Sequence, residues 1–276
     1  MEVFVLEIRC SYQGKDDVLY PVLLRNGKEL VLVDCGYAGS MPLLQAAANR
    51  HGISLDALTG ILITHHDIGH MGGVQELKMA YSAAKVYASA TEAPYISGKE
   101  KSLRLQQAEA LYDTLPEDLK AWARQLQETL KAVQAVAVDG IASESGVPAS
   151  WGDMQIIPTP GHTPGHISVY LPQSKTLLAA DAVVVEKGEL ELANPALTLN
   201  PEQAIASVRR LLQLEVDQLI CYHGGMVEKD IREKLERLVE KYTPVQPPPA
   251  SSDKDQPDAY SSPACYAHLK DFREGF

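Results

Sequence analysis

A chain of 276 residues, 45 % of them hydrophobic, can bury a substantial core, which excludes a stapled mini-protein and a globally disordered chain. Its 36 acidic residues against 25 Lys and Arg give a net charge of −11, a poor match for a nucleic-acid backbone. No apolar run is long enough to suggest a membrane span and the N-terminus lacks a basic start before an apolar stretch, so the expected setting is the cytoplasm, with Cys10, Cys35, Cys221 and Cys265 as reduced thiols.

In chain order, Val3 to Ile8 and Val18 to Leu24 are expected as strands rich in branched residues. Asn26-Gly27 joins the second of these to Leu30 to Val33 in a hairpin. Ser40 is placed to cap a helix over about Met41 to Arg50, with Gly52 as its stop. A buried strand, Gly60 to Ile63, runs directly into a histidine cluster.

From Ser102 to Val133 the period changes to 3.6. One helical stripe is Leu105, Ala108, Leu111 and Leu115; a second, beyond Pro116, is Leu119, Trp122, Ala123, Leu126, Leu130 and Val133. Two readings stand open for this 102–133 insertion: a plain helical hairpin, or a cap over a site with Tyr112 or Trp122 against substrate. Short strands return at Ala135 to Val138, Met154 to Pro158, Ile167 to Leu171 and Thr176 to Ala180. A helix follows from Pro201 with Asn200 as its cap, then a strand, Gln218 to Tyr222, and a last helix with Val227, Ile231, Leu235 and Leu238 on one face. The principal domain is expected over 1–242, followed by a Pro/Ser/Asp-rich tail over 243–276.

The eight histidines are not scattered. His65, His66 and His70 lie with Asp67 in THHDIGH, His162 and His166 in GHTPGH, and His223 in YHGG, each cluster following an apolar strand. Loops at strand ends present side chains rigidly, and imidazole with carboxylate suits zinc, iron or manganese. His51 and His268 stand apart and are expected to be ordinary surface or core residues. Asp181 ends the strand TLLAA.

These segments, THHDIGHMGG, PGHTPGHI, LLAAD and CYHGG, together with the earlier LVLVDCG, resemble the metallo-β-lactamase superfamily in order and spacing over roughly residues 1–240. The resemblance implies a four-layer αββα sandwich of the α/β (α+β) class: two mixed β-sheets with helices outside each. It implies a metal centre held by His65, Asp67, His70, His162, Asp181 and His223, with Asp181 bridging two ions and Asp34 supporting a ligand from behind. Asp67 and Asp181 are the expected catalytic carboxylates. The implied cofactor is one or two Zn ions, with Fe or Mn as alternatives.

Two positions depart from the family pattern. Asp67 stands where a second His is usual, and Gly69 where an Asp is usual. Losing the Asp should weaken the second metal position (His70, Asp181 and His223), leaving the first (His65, Asp67, His162 and Asp181) filled more tightly. His66 is not expected to compensate, because neighbouring side chains point apart.

The implied chemistry is hydrolysis of a small ester, thioester or lactone by metal-activated water. A mononuclear-iron redox enzyme and a degenerate member that binds ligand with little turnover are the alternatives. The expected partner is a small-molecule substrate, with neither nucleic acid nor membrane involved; a homo-oligomer is compatible with the sequence. The late-helix cations Lys229, Arg232, Lys234 and Arg237 are expected to be an ordinary charged face rather than a glutathione site of the glyoxalase II kind.

Overall fold

The computed structural model describes residues 1–12, 15–194 and 197–243. The tail expected over 243–276, including Cys265 and His268, lies outside the described residues except for Thr243.

The N-terminal half supplies β1 (Glu2–Val5), β2 (Ile8–Tyr12), β3 (Lys15–Leu19), β4 (Val22–Asn26), β5 (Glu29–Val33), α1 (Met41–Arg50), β6 (Gly60–Leu62), α2 (Ile68–Met71), α3 (Val74–Ala80), β7 (Lys85–Ala88) and α4 (Ala93–Ile96). After these come α5 (Leu103–Tyr112), α6 (Glu117–Lys131), β8 (Gly140–Ile141), β9 (Gln155–Pro158), β10 (Ile167–Leu171), β11 (Thr176–Ala180), β12 (Val184–Glu186) and β13 (Glu189–Glu191). The chain continues through α7 (Pro201–Leu211), β14 (Gln218–Cys221), β15 (Gly225–Val227) and α8 (Ile231–Tyr242).

One sheet runs β1-β4-β5-β6-β7-β8 and a second β15-β14-β11-β10-β9. Both are mixed: β4–β5 and β9–β10 pair antiparallel, β5–β6 and β11–β14 parallel. Period-two alternation builds the layers. Val22, Leu24, Val31, Val33 and Leu62 of the first sheet meet Ile156, Ile167, Val169, Leu178 and Ile220 of the second in one buried core. The intervening residues, Leu23, Leu32 and Ile61, face outward against Leu44 and Ala48 of α1 and Leu77 of α3. On the other side Leu177 and Leu219 face Val208 of α7 and Leu235 of α8. The result is the expected helix–sheet–sheet–helix sandwich.

Several expected boundaries move. The two long N-terminal strands each break in two, at Leu6-Glu7 and at Tyr20-Pro21, where proline interrupts the ladder; the pieces β2 and β3 pair as a separate hairpin. The β4–β5 turn centres on Gly27-Lys28, because Asn26 already pairs with Glu29. Ala135 to Val138 is not a strand; pairing with β7 begins only at Gly140. Val227 belongs to β15 rather than to the last helix.

Candidate metal centre

Parallel pairing of β5 with β6, and of β11 with β14, gathers four strand C-termini at one edge of the sandwich. From them emerge Asp34, the loop His65 to Asp67, Asp181 and His223. The β9–β10 connection brings His162 and His166 to the same edge, and Ile167 N donates to Thr64 O at 3.2 Å, stitching one sheet to the other. Asp34 and Ala180 have φ of 56° and 48°, left-handed backbone at two strand ends that re-aims the chain into the site.

All six candidate metal-binding residues come together. Ligand atoms of His65, Asp67 and His162 lie within 4.8 Å of one another, as do those of His65, His70 and Asp181. His70 Nε2 is 3.2 Å from Asp181 Oδ1, and His162 Nε2 is 3.0 Å from Asp67 Oδ2. His223 is the outlying member, its Nε2 3.7 Å from Asp181 Oδ1 and its side chain 33 % exposed. His65 Nε2, His70 Nε2 and Asp181 Oδ1 are buried with no hydrogen-bond partner. Three orphaned polar atoms converging in one place fit a cation, since buried groups are otherwise paired.

The surrounding groups fix these side chains. Asp34 accepts from Thr64 N at 2.9 Å and Thr64 Oγ1 at 2.7 Å, and its Oδ2 holds His70 Nδ1 at 2.8 Å, which leaves Nε2 of that ring free to face the centre. His65 Nδ1 lies 3.1 Å from Thr64 Oγ1. Burial, reinforced by the charge of His70, holds the His65 imidazole well below the usual histidine range and therefore neutral, the form that donates to metal. Burial pushes the Asp181 carboxyl up, but His70 and His223 outweigh it and keep the group ionised, well below the usual range.

His166 and His66 are drawn away from the centre. His166 spans Thr159 Oγ1, 2.8 Å from Nδ1, and the backbone N–H of Asp181, which donates to Nε2 at 3.1 Å. His66 Nδ1 contacts Glu92, while its Nε2 accepts from Leu103 N at 3.3 Å. The lone His51 lies apart, its Nε2 3.2 Å from Val5 O.

Two buried charged residues that support the site were not expected from the sequence. Glu92 is fully buried and accepts from His66 N at 2.9 Å, Thr163 Oγ1 at 2.8 Å and Gly165 N at 2.8 Å, joining the first histidine loop to the second. Nothing in the stretch ATEAP marks it. Arg104 of α5 is 1 % exposed and clamps Asp67, with Nε 2.9 Å from each carboxylate oxygen and Nη2 2.7 Å from Oδ2. Its signal was legible: Arg104 lies four residues before Ala108 and so falls on the apolar stripe, where a charge needs a buried partner.

The insertion packs as a helical hairpin on the first histidine loop. Leu105 and Ala108 of α5 pack with Leu126 and Leu130 of α6 against Ile68, beside Asp67, and against Leu197. Its reach into the site is through Arg104, not Tyr112, whose ring lies under Lys120 and Arg124 at 5.9 Å each. Trp122 packs at the edge of the hairpin's own cluster. Of the late-helix cations, Arg232, Lys234 and Arg237 are held in ion pairs with Glu236, Glu189 and Glu233, an ordinary charged face as expected.

Comparison with known proteins places the chain in a family. The family model described as the metallo-beta-lactamase superfamily matches residues 19–223. The probable metallo-hydrolase YflN of Bacillus subtilis is 30 % identical over 230 residues, 78 % of this chain and 83 % of that one. A hydroxyacylglutathione hydrolase of Yersinia pestis is 28 % identical over 205 residues, covering 72 % of this chain and 59 % of the relative. Among solved structures, a metallo-beta-lactamase family protein from Thermus thermophilus superposes with a TM-score of 0.67 at 21 % identity, over 87 % of this chain and 79 % of that one. Among the described residues no helix is long and apolar enough to cross a membrane.

Proposed function

The chain belongs to the metallo-beta-lactamase superfamily and is a metallo-hydrolase, and from that premise we propose that it hydrolyses a small ester, thioester or lactone at a zinc centre of one or two ions. The observation that carries this reading is the convergence of His65 Nε2, His70 Nε2 and Asp181 Oδ1, buried and unpartnered, at the edge where five of the six candidate ligands group together.

When bound, the metal supplies an acidified water and Lewis acidity toward the scissile carbonyl. The remaining work falls to this chain's residues. Asp34 holds His70 in one orientation through a 2.8 Å contact with Nδ1. Asp181 turns Oδ1 toward His70 and Oδ2 toward His65 and His162, at 3.2, 3.9 and 3.5 Å, so that it would contribute a donor to either metal position. Asp67 would be the second anionic donor and, with Asp181, would help orient the attacking water.

A thioester heads the substrate panel, because a hydroxyacylglutathione hydrolase is among the relatives.

The test is metal analysis of the purified chain together with ester, thioester and lactone substrates, before and after chelation. Zinc at one to two equivalents, with turnover lost on chelation and restored by zinc, is the expected result. Turnover insensitive to chelation would reject the proposal, and oxygen consumption with bound iron would favour the redox alternative.

A further inference from the structure

Arg104 engages the very atoms that the first metal position would use. Its Nη2 lies 2.7 Å from Asp67 Oδ2 and 3.0 Å from His162 Nε2, while those two atoms are themselves 3.0 Å apart. The guanidinium is otherwise satisfied within the insertion and the neighbouring loop: Nη1 donates to Gln107 Oε1 at 3.0 Å and to Leu197 O, and Nη2 also reaches His162 O at 3.4 Å. This cation is thus built into the core, with no long stem free to swing into solvent.

A neutral imidazole at position 67, the usual family residue, would give Arg104 no anion to pair with. A carboxylate there answers a buried guanidinium at once. The departure at Asp67 and the buried Arg104 are therefore two halves of one arrangement. A lone pair on His162 Nε2 can accept from Arg104 or donate to a metal, not both, and Asp67 Oδ2 divides its charge in the same way.

We propose that Arg104 competes with the metal for Asp67 Oδ2 and His162 Nε2, so that the helical insertion sets the affinity of the first metal position and shifts when that position fills. This rests on the metal-ligand assignment above. It reverses the order expected from Gly69 alone: the first position is the weaker one in this chain. It also makes α5, which carries Arg104 and whose Leu103 N–H donates to His66, the element that responds to metal loading.

The test is zinc affinity of the full chain, by competition with a chromophoric chelator, for the unmodified protein, R104K and R104Q. R104Q removes the competing charge and should bind the weaker zinc about tenfold more tightly, near 1.4 kcal/mol. R104K keeps the charge and should stay near the unmodified protein. Amide hydrogen exchange over 103–112 should rise when zinc is added to the unmodified chain and stay flat in R104Q. A merely structural arginine would do the opposite, since its loss would disorder the ligands and weaken binding. Should R104Q not fold, Arg104→Met, which keeps an unbranched apolar stem and leaves every candidate ligand in place, carries the same readout. Equal or weaker zinc binding in the folded variant would overturn this proposal alone. An unmodified chain and variants that all bind no zinc would overturn the ligand assignment and this proposal with it.

Discussion

Tyr37 stands against Gly69: a Cβ built on Gly69 would lie 3.4 Å from the Tyr37 ring, an ordinary contact distance. The phenol donates to Asp17 Oδ2 at 2.9 Å, and the other oxygen of Asp17 is 3.9 Å from His223 Nδ1. Where the family has an aspartate on the metal loop, this chain has a tyrosine ring and, behind it, a carboxylate from the β2–β3 hairpin.

That relationship decides the expected effect of Gly69→Asp. Gly69 sits within α2 and does not adopt left-handed backbone, so the fold does not require glycine there. The variant should fold with little loss of stability. An added carboxylate beside His70, Asp181 and His223 should tighten the second metal by about tenfold or more. A chelator titration showing unchanged affinity for both metals would reject this role for position 69.

Asp181→Ala should remove most of the bound metal, because Asp181 is the one candidate ligand whose two oxygens face both groups of histidines. His162→Ala should lose only the first position. Metal analysis after dialysis separates the two outcomes; full metal content in Asp181→Ala would mean the ligand assignment is wrong.

The layered fold and the ring of candidate ligands were legible because each rests on a local pattern. Apolar runs such as Gly60 to Leu62 and Thr176 to Ala180 end directly in His65 and Asp181, and a strand end is a place the chain cannot easily move. Short strands such as β12, β13 and β15 were not legible, since three residues carry too little periodicity. Glu92 and Arg104 escaped for another reason. Each is defined by partners distant in sequence, Thr163 at 71 residues for Glu92 and Asp67 at 37 for Arg104; the apolar stripe marks Arg104 as a charge in need of a buried partner but does not say which, and nothing local marks Glu92 at all.

Glu92 should prove structural in its effect. It satisfies two backbone N–H groups, a hydroxyl and an imidazole in a fully buried setting. Glu92→Ala would leave those donors unpaired and uncouple the two histidine loops, with an expected loss of about 3–5 kcal/mol in urea unfolding. Glu92→Gln, which keeps one acceptor oxygen, should lose less. If Glu92→Ala unfolds at the unmodified midpoint, the network does not hold the loops together.

The last prediction concerns acid. Burial, helped by the neighbouring His162, lowers the His166 pKa from 6.5 to about 3. The folded protein thus keeps this ring neutral at pH values where the unfolded chain protonates it. Between about pH 6.5 and about pH 3 the unfolded state binds more protons, so this group's contribution is intact above pH 6.5 and falls as pH drops through that window. His70 has the opposite sign: burial lowers its pKa, but Asp181 and Asp34 outweigh that and raise it to about 10, so its contribution is full below 6.5 and fades as pH rises through 10. In metal-free protein the two limbs are separable by substitution. His166→Asn cannot take up a proton but retains a donor and an acceptor for Thr159 and the Asp181 backbone. Its unfolding free energy between pH 4 and 6 should fall less steeply than that of the unmodified chain, by up to about 1.4 kcal/mol per pH unit. Parallel slopes for the two proteins would show that His166 is already protonated in the native state, and the neutral bridge between Thr159 and Asp181 would have to be abandoned.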